Sequence, residues 1–271
     1  MTLKEYLKHG EKQLEHADIS SARLDMLILL EDLLHKDRAW ILAHPEHQLS
    51  DAYVRKLDRK LQRRAKHVPL AYIRGFSEFY GRKFRVNRHV LEPRPESETM
   101  IELLLGLNLP PKPSIADVGT GNGAIGITAA LEIPGSTVDL YEISSGALAV
   151  AKHNTHLHEV RLHARKMNLL SRPLRPYHAV LANLPYVPDK WQINQAAMAE
   201  PKIAIFGGPD GLDVYRKMFG QLKRFTWKPR YVFCESLPPQ HPKLAEIAVA
   251  AGFKLLKSED FIQIFTPIKN T

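Results

Sequence analysis

The tetrapeptide Asn183-Leu184-Pro185-Tyr186 brings together the groups best suited to chemistry in this sequence. It directly follows the apolar run Ala179–Ala182, which is typical of a buried strand. The proline ends that strand, so the tetrapeptide lies beyond its carboxyl end, where open α/β sheets bind ligands. The Asn183 side-chain oxygen and the Leu184 carbonyl can accept both hydrogens of a planar –NH2 group, while the Tyr186 ring holds its plane. We predict that these four residues are catalytic and bind substrate, although Asn is also common in ordinary turns.

A second candidate site is the segment Asp117-Val118-Gly119-Thr120-Gly121-Asn122-Gly123, which follows a predicted strand and opens a predicted helix. Its glycines permit a tight turn and let backbone N–H groups approach a ligand closely. Glu142 ends the next predicted strand, and a carboxylate at that position can accept both hydroxyls of a ribose. We predict that this segment and Glu142 bind a cofactor that contains a nucleoside.

The class of cofactor follows from charge. Residues Gly121 to Gly126 match the dinucleotide fingerprint G-x-G-x-x-G, a weak signal that leaves an NAD oxidoreductase as one alternative. The Asp117 carboxylate, however, would repel a pyrophosphate and attract an ammonium group. S-Adenosylmethionine carries an ammonium group and no phosphate. The sequence therefore favours S-adenosylmethionine as the cofactor and a methyltransferase as the class of enzyme.

Residues 1–70 predict a helical N-terminal domain. Its third helix begins at Ser50, a residue type that caps helix N-termini. One face of this helix is apolar and the other is basic. The basic residues are Arg55, Lys56, Arg59, Lys60, Arg63, Arg64 and Lys66. This face is either a solvated surface or a docking surface for a partner or for RNA phosphates.

Residues 71–98 predict a linker with a β-hairpin, because Gly75 and Gly81 punctuate short β-like runs. Residues 99–271 alternate strands with helices, which is typical of an α/β domain with a parallel sheet. The predicted strands are residues 114–118, 137–141, 160–163, 177–182, 231–234, 253–256 and 261–265.

The composition indicates which classes of partner and which cellular compartment suit the protein. The net charge of +9 suits a protein that meets an acidic partner, so nucleic-acid contact is possible but not required. Apolar stretches are too short to span a bilayer, and the single Cys234 excludes an intrachain disulfide, which predicts a cytoplasmic protein without a membrane partner. His153, His156 and His158 cluster without a Cys or carboxylate frame, so we expect no metal site.

The chain resembles the protein-(glutamine) methyltransferases that act on peptide chain release factors, the HemK/PrmC family. The resemblance covers most of the chain, and its specificity comes from the combination of several motifs. These are Tyr72-Ile73-Arg74-Gly75, Glu78-Phe79-Tyr80-Gly81, Pro93-Arg94-Pro95-Glu96-Ser97-Glu98, the segments 117–123 and 183–186, Glu200-Pro201 and Gly207-Gly208-Pro209-Asp210-Gly211-Leu212.

The resemblance implies a helical domain that recognises the release factor, a β-hairpin, and a seven-stranded, Rossmann-like class I methyltransferase domain. It also implies methylation of the side-chain amide nitrogen of the glutamine in the Gly-Gly-Gln motif of release factors. The expected state of the protein is a monomer.

The resemblance further implies roles for individual residues. Gly119, Gly121 and Gly123 would hold S-adenosylmethionine, and Glu142 would bind its ribose. Asn183 would lie between cofactor and substrate.

Three further residues complete the predicted site. Asn168, beside Leu169, would face the adenine amino group of the cofactor. Arg94, on a loop that two prolines stiffen, is a predicted substrate-binding residue.

Three positions depart from the family pattern. Leu184 stands where the family mostly has Pro, which keeps the carbonyl but loses one ring that fixes φ. Glu142 and Asn168 stand where Asp is usual, and both keep an acceptor oxygen. Beside the NAD oxidoreductase, two further alternatives remain open: an amino-group methyltransferase that acts on a nucleic-acid base with the same geometry, and an adaptor that binds the cofactor without turnover.

Overall fold

In the computed structural model, which describes residues 1–268, the chain forms two compact units. The first unit comprises Met1–Gly75 and Asn194–Ala199. The second unit comprises Phe76–Ile193 and the chain from Glu200 onward. Each unit has a hydrophobic core of its own.

The first unit is helical, as predicted from the apolar periodicity. Up to residue 75 its helices are α1 (Leu3–Glu15), α2 (Ala22–Leu34), α3 (Arg38–Ala43), α4 (Asp51–Ala65) and α5 (Leu70–Arg74). Ser50 caps α4 by accepting a hydrogen bond from the Tyr53 backbone N–H, as its residue type indicates. The apolar faces of these helices meet in one core that includes Tyr6, Met26 and Leu57.

A buried ion pair in this unit corrects one prediction. Arg64 was placed on the exposed basic face of α4, and this prediction is wrong, because its side chain is buried. It lies three residues after the buried Leu61 and therefore on the same helix face. Its Nε donates to Asp25 Oδ2 on α2 at 2.6 Å, and buried charges require such a partner.

The second unit begins with an antiparallel hairpin, as predicted, and continues into the α/β region. Its elements, with the short helix α9 of the first unit in chain order, are β1 (Phe76–Phe79), β2 (Arg82–Arg85), α6 (Glu98–Leu105), β3 (Ser114–Val118), α7 (Ala124–Glu132), β4 (Thr137–Glu142), α8 (Ser145–Leu157), β5 (His163–Lys166), β6 (Ala179–Ala182), α9 (Gln195–Met198), α10 (Asp213–Arg224), β7 (Tyr231–Glu235), α11 (His241–Ala250), β8 (Phe253–Glu259) and β9 (Ile262–Pro267).

The sheet of the second unit has seven strands in the order β5-β4-β3-β6-β7-β9-β8. All pairs are parallel except β7 with β9 and β8 with β9. Strand order reverses between β3 and β6, and ligands in such sheets bind beyond the strand ends at this point. The predicted α/β fold with a seven-stranded sheet is confirmed.

Two local features differ from the sequence prediction. The third strand of the sheet is His163–Lys166 rather than residues 160–163, because the apolar Val160 and Leu162 pack on the core in the segment before the strand. Helix α10 was not predicted, although Tyr215, Met218, Phe219 and Leu222 recur at helical spacing and form its buried face.

No helix within residues 1–268 is long and apolar enough to cross a membrane.

Asn154 on α8 fixes the hairpin to the glycine segment. Its Oδ1 accepts from the Arg85 backbone N–H at 2.8 Å, and its Nδ2 donates to the backbone oxygens of Arg85 at 3.1 Å and Asn122 at 2.8 Å. The residue is fully buried, so none of these bonds competes with solvent. One amide on α8 thus holds two separate stretches of backbone, the end of the hairpin and the glycine segment.

Replacing Asn154 with Ala is expected to lower the free energy of unfolding by about 1–3 kcal/mol, because a backbone N–H and two carbonyls lose their partner. Urea denaturation measures this loss. The matched control is Lys152→Ala on the exposed side of the same helix, for which we expect a change within about 0.5 kcal/mol. Equal stabilities of the two variants would contradict the anchoring role.

Candidate active site

The glycine segment forms a tight turn between β3 and α7. Gly119 has φ +71° and Gly123 has φ +88°, values in the left-handed region that glycine adopts without strain. The N–H groups of Gly119 and Thr120 both donate to the Tyr141 carbonyl, at 2.8 and 3.0 Å. The turn is therefore held against the end of β4.

Two buried carboxylates organise this turn. Asp117 Oδ2 accepts from the Gly126 N–H at 2.9 Å and from the Thr120 hydroxyl, and burial raises the pKa of Asp117 to about 6. Glu142 accepts from the Gly121 N–H at 2.9 Å with one oxygen and from the Ser144 N–H at 2.8 Å with the other. Burial also raises the pKa of Glu142. Each of its oxygens keeps capacity for a further donor such as a hydroxyl.

A cavity of about 260 Å³ lies at the carboxyl ends of β3, β4 and β6. Most of the residues predicted from the sequence line it: Arg94, Asp117, Gly119, Thr120, Gly121, Asn122, Glu142, Asn168, Leu169, Asn183, Leu184 and Pro185. Two predicted residues lie outside its lining. Gly123 caps α7, and Tyr186 points its hydroxyl toward the end of β7.

Asn183 is held by a chain of polar side chains. Its Nδ2 donates to Ser97 Oγ at 2.8 Å, and the Ser97 hydroxyl donates to Glu235 Oε2 at 2.6 Å. The Tyr186 hydroxyl donates to Glu235 Oε1 at 3.1 Å. Each carboxylate oxygen of Glu235 therefore accepts a hydrogen bond from a hydroxyl group next to the predicted catalytic tetrapeptide.

Leu184 makes contacts that a proline could not make. Its backbone N–H donates to the Tyr215 hydroxyl at 3.2 Å, whereas proline has no N–H. The same hydroxyl lies within hydrogen-bond distance of the carbonyls of Ala182, at 3.1 Å, and Glu235. The Leu184 side chain packs over Gly119, where a Cβ would lie only 2.7 Å from Leu184 Cδ2. Tyr215 thus replaces part of the restraint that the missing ring would provide.

The loop after the tetrapeptide rests on the Gly-Gly-Pro-Asp-Gly segment. Gln240 Nε2 donates to the carbonyls of Tyr186 and Asp210, at 2.8 Å each. Gly211 has φ +79°, and a Cβ there would collide with the Tyr186 carbonyl. This segment therefore supports the backbone that follows Pro185.

Arg94 contacts a buried carboxylate. Its guanidinium donates to Glu200 Oε2 at 2.5 Å, and Glu200 Oε1 accepts from the Glu92 backbone N–H at 3.1 Å. Burial raises the pKa of Glu200 although Arg94 opposes the rise. The pair anchors the proline-stiffened loop at one wall of the cavity.

Comparison with known proteins places the chain in a family. The PrmC N-terminal domain model matches residues 5–75, and the Methyltransferase small domain model matches residues 99–201. A release factor glutamine methyltransferase of Coxiella burnetii is 36% identical over 94% of this chain and 92% of its own length. One of Koribacter versatilis is 38% identical over 82% of this chain and 81% of its own length. The chain belongs to the release factor glutamine methyltransferase family.

Family membership settles the class of enzyme and the cofactor. The protein is a methyltransferase, and its cofactor is S-adenosylmethionine, as Asp117 and the glycine segment favour. A methyltransferase from Pyrococcus furiosus shares the fold with TM-score 0.51 and 16% identity, over 80% of this chain and 98% of that chain. The relatives are named for release factors, so the alternative of a nucleic-acid base as the acceptor is not favoured.

The residues of the cavity fit this cofactor. Asn122 Nδ2 is buried without a hydrogen-bond partner among the described residues, so it has a donor to offer a ligand. The Glu142 carboxylate suits ribose hydroxyls, and the Asp117 carboxylate suits an ammonium group. Among residues 1–268, no group of three or more His, Cys, Asp and Glu side chains could hold a metal ion.

Three important residues of the site were not assigned from the sequence. Ser97 lies within the Pro-Arg-Pro-Glu-Ser-Glu motif but has no chemistry that marks it. Glu235 ends β7 just as Glu142 ends β4, and this shared position was a usable signal. Tyr215 could be recognised only together with α10.

Replacing Tyr215 with Phe is expected to lower the free energy of unfolding by about 1–3 kcal/mol, because the buried Leu184 N–H loses its acceptor. Urea denaturation measures the change, with an unaltered m-value as evidence that the native state stays compact. Tyr231→Phe on β7 is the control, since its hydroxyl makes no hydrogen bond among residues 1–268. A loss as large in the control would show that the Leu184 contact is not the cause.

Proposed function

We propose that the protein transfers a methyl group to the side-chain amide nitrogen of the glutamine in the Gly-Gly-Gln motif of a peptide chain release factor. The observation that carries this proposal is the pair of acceptors at the end of β6, the Asn183 side-chain oxygen and the Leu184 carbonyl, beside the cofactor turn. The names of the relatives from Coxiella burnetii and Koribacter versatilis support the choice of acceptor.

The two acceptors would orient the glutamine amide. An amide nitrogen is a poor nucleophile, because its lone pair is delocalised into the carbonyl. Hydrogen bonds from its two hydrogens to Asn183 and Leu184 would hold the nitrogen in one direction and favour the positive charge that develops on it. Orientation of this kind can contribute about 7–11 kcal/mol to lowering the barrier.

The bound S-adenosylmethionine supplies the methyl group from its sulfonium centre. Neither Asn183 nor Leu184 can take up a proton, so the methylated nitrogen would release its extra proton to water after the transfer. Burial of Leu184 beside Gly119 keeps the two halves of the site in contact.

The remaining predicted residues take supporting roles in this proposal. The segment 117–123 and Glu142 would hold the cofactor, and Asn168 with Leu169 would bind its adenine. Arg94 and Tyr186 would border the substrate.

In this proposal the parts of the chain take the roles predicted from the sequence. Residues 1–70 would recognise the release factor, residues 71–98 would act as a linker, and residues 99–271 would carry out the transfer. The protein would act as a monomer, without a need for nucleic acid.

Replacing Asn183 with Ala is expected to lower the turnover number at least about 100-fold, because one preorganised acceptor is lost. Transfer is measured from S-adenosyl-[methyl-³H]methionine to a purified release factor, with mass spectrometry of the Gly-Gly-Gln segment. Calorimetry checks that the variant still binds S-adenosylmethionine. The control is Asn108→Ala at an exposed position, for which we expect unchanged turnover.

Wild-type turnover in the Asn183 variant would refute the assigned role. A parallel reaction with total RNA tests the acceptor class. Methyl groups found only in RNA would contradict the proposed substrate.

A further inference from the structure

The carboxylate of Glu235 lies on the side of Asn183 away from the cavity and is linked to Asn183 through Ser97. Glu235 is the last residue of β7, is 1% exposed, and lies outside the lining of the cavity. It therefore cannot touch the substrate. Its two oxygens receive the hydroxyls of Ser97 and Tyr186, and Ser97 in turn receives Asn183 Nδ2.

The direction of the hydrogen bonds in this chain is fixed by the charge at its end. An ionised carboxylate only accepts, so the single hydroxyl hydrogen of Ser97 must point at Glu235. The Ser97 oxygen then faces Asn183 with lone pairs only, and it can pair with Nδ2 but not with Oδ1. The Asn183 oxygen is consequently left on the side of the cavity.

We propose that Glu235 is a positioning residue, which in its ionised form holds the Asn183 amide with its oxygen, and not its nitrogen, toward the methyl acceptor. This inference rests on the proposed function only for the identity of that acceptor. The orientation itself belongs to the protein alone.

Protonation of Glu235 removes the restraint. A protonated Glu235 donates to Ser97, and the Ser97 hydrogen is then free to point at Asn183 Oδ1. The amide can turn over by 180° and present its NH2 group to the NH2 group of the glutamine. Two NH2 groups then face each other without an acceptor oxygen between them, and the glutamine amide is no longer held.

This protonation falls within an accessible pH range. Burial raises the pKa of Glu235 to about 7, and the charge of Glu96 adds to the rise, while the hydrogen bonds from Ser97 and Tyr186 oppose it, with a smaller contribution from the nearby Asn183 side chain. Tyr186 stays a donor, because burial raises its pKa above the usual value. From α10, Tyr215 reaches only the backbone carbonyl of Glu235, and burial keeps it protonated too. The positive charge of Arg94 opposes the rise in the pKa of Tyr186.

The first test needs no turnover. In protein labelled with ¹⁵N-asparagine, the Asn183 side-chain NH2 signal, assigned with Asn183→Asp, is followed between about pH 5.5 and 8.5. We expect one titration with a midpoint near that of Glu235, and its disappearance in Glu235→Gln. A signal that does not titrate, or that titrates equally in Glu235→Gln, would overturn the proposal.

The second test uses the turnover number with saturating release factor and S-adenosylmethionine. We expect the wild-type value to fall about tenfold per pH unit below the midpoint of Glu235, and this limb to be absent from the Glu235→Gln profile. Glu96→Gln removes a neighbouring negative charge and is expected to move the acidic limb to lower pH without abolishing it. A limb that persists in Glu235→Gln at the wild-type midpoint contradicts the proposal, because a residue with a purely structural role would lower the rate at every pH.

Ser97→Ala provides a second route if Glu235→Gln does not fold. It breaks the chain while leaving the contact of Tyr186 with Glu235, so the Asn183 signal is expected to lose its titration. A retained titration would show that Glu235 does not act through Ser97. If the wild-type protein transfers no methyl to the release factor, the proposed function fails, and the Asn183 signal still decides the positioning role.

Discussion

At the carboxyl ends of β6 and β7, polar groups that have no partner in the sheet form hydrogen bonds with side chains. The active site depends on these hydrogen bonds. Where parallel strands diverge into loops, their last polar groups lose the sheet as a partner, and buried groups without partners are costly. Tyr215 satisfies Leu184 N–H and lies against two strand-end carbonyls. Glu235 accepts hydrogen bonds from the hydroxyl of Ser97, which holds Asn183, and from the hydroxyl of Tyr186. The groups that stabilise the strand ends are therefore the groups that aim the proposed catalytic residues.

The order of the strands brings the two halves of the site together. The cofactor turn follows β3 and the tetrapeptide follows β6, and these strands are neighbours where the sheet reverses its order. Gly119 and Leu184 are in contact as a result, at a spacing that leaves no room for a Cβ on the turn. This close approach places the cofactor turn next to the proposed acceptor site, and transfer requires the two reacting groups to be neighbours.

Leu184 shows how a departure from a family pattern is accommodated. A proline would fix φ, whereas leucine provides an N–H that Tyr215 accepts and a side chain that is 2% exposed against the cofactor turn. The carbonyl that the proposed mechanism needs is the same in either residue. The departure is thus compatible with turnover, so Leu184 gives no reason to prefer an adaptor that binds the cofactor without chemistry.

Local sequence determined the glycine turn, the strand-end position of Asn183 and the α/β pattern, because turns, caps and apolar periodicity depend on residues close together in the chain. It misplaced β5, whose polar edge-strand residues lack an apolar signal, and it put Arg64 on the wrong face, because its partner Asp25 lies 39 residues away. Only the tertiary structure joined Ser97 to Glu235, which are 138 residues apart. Such contacts depend on strand order and burial, and no short-range pattern encodes either. The chain thus specified by itself which groups could react, and the fold decided which way those groups point.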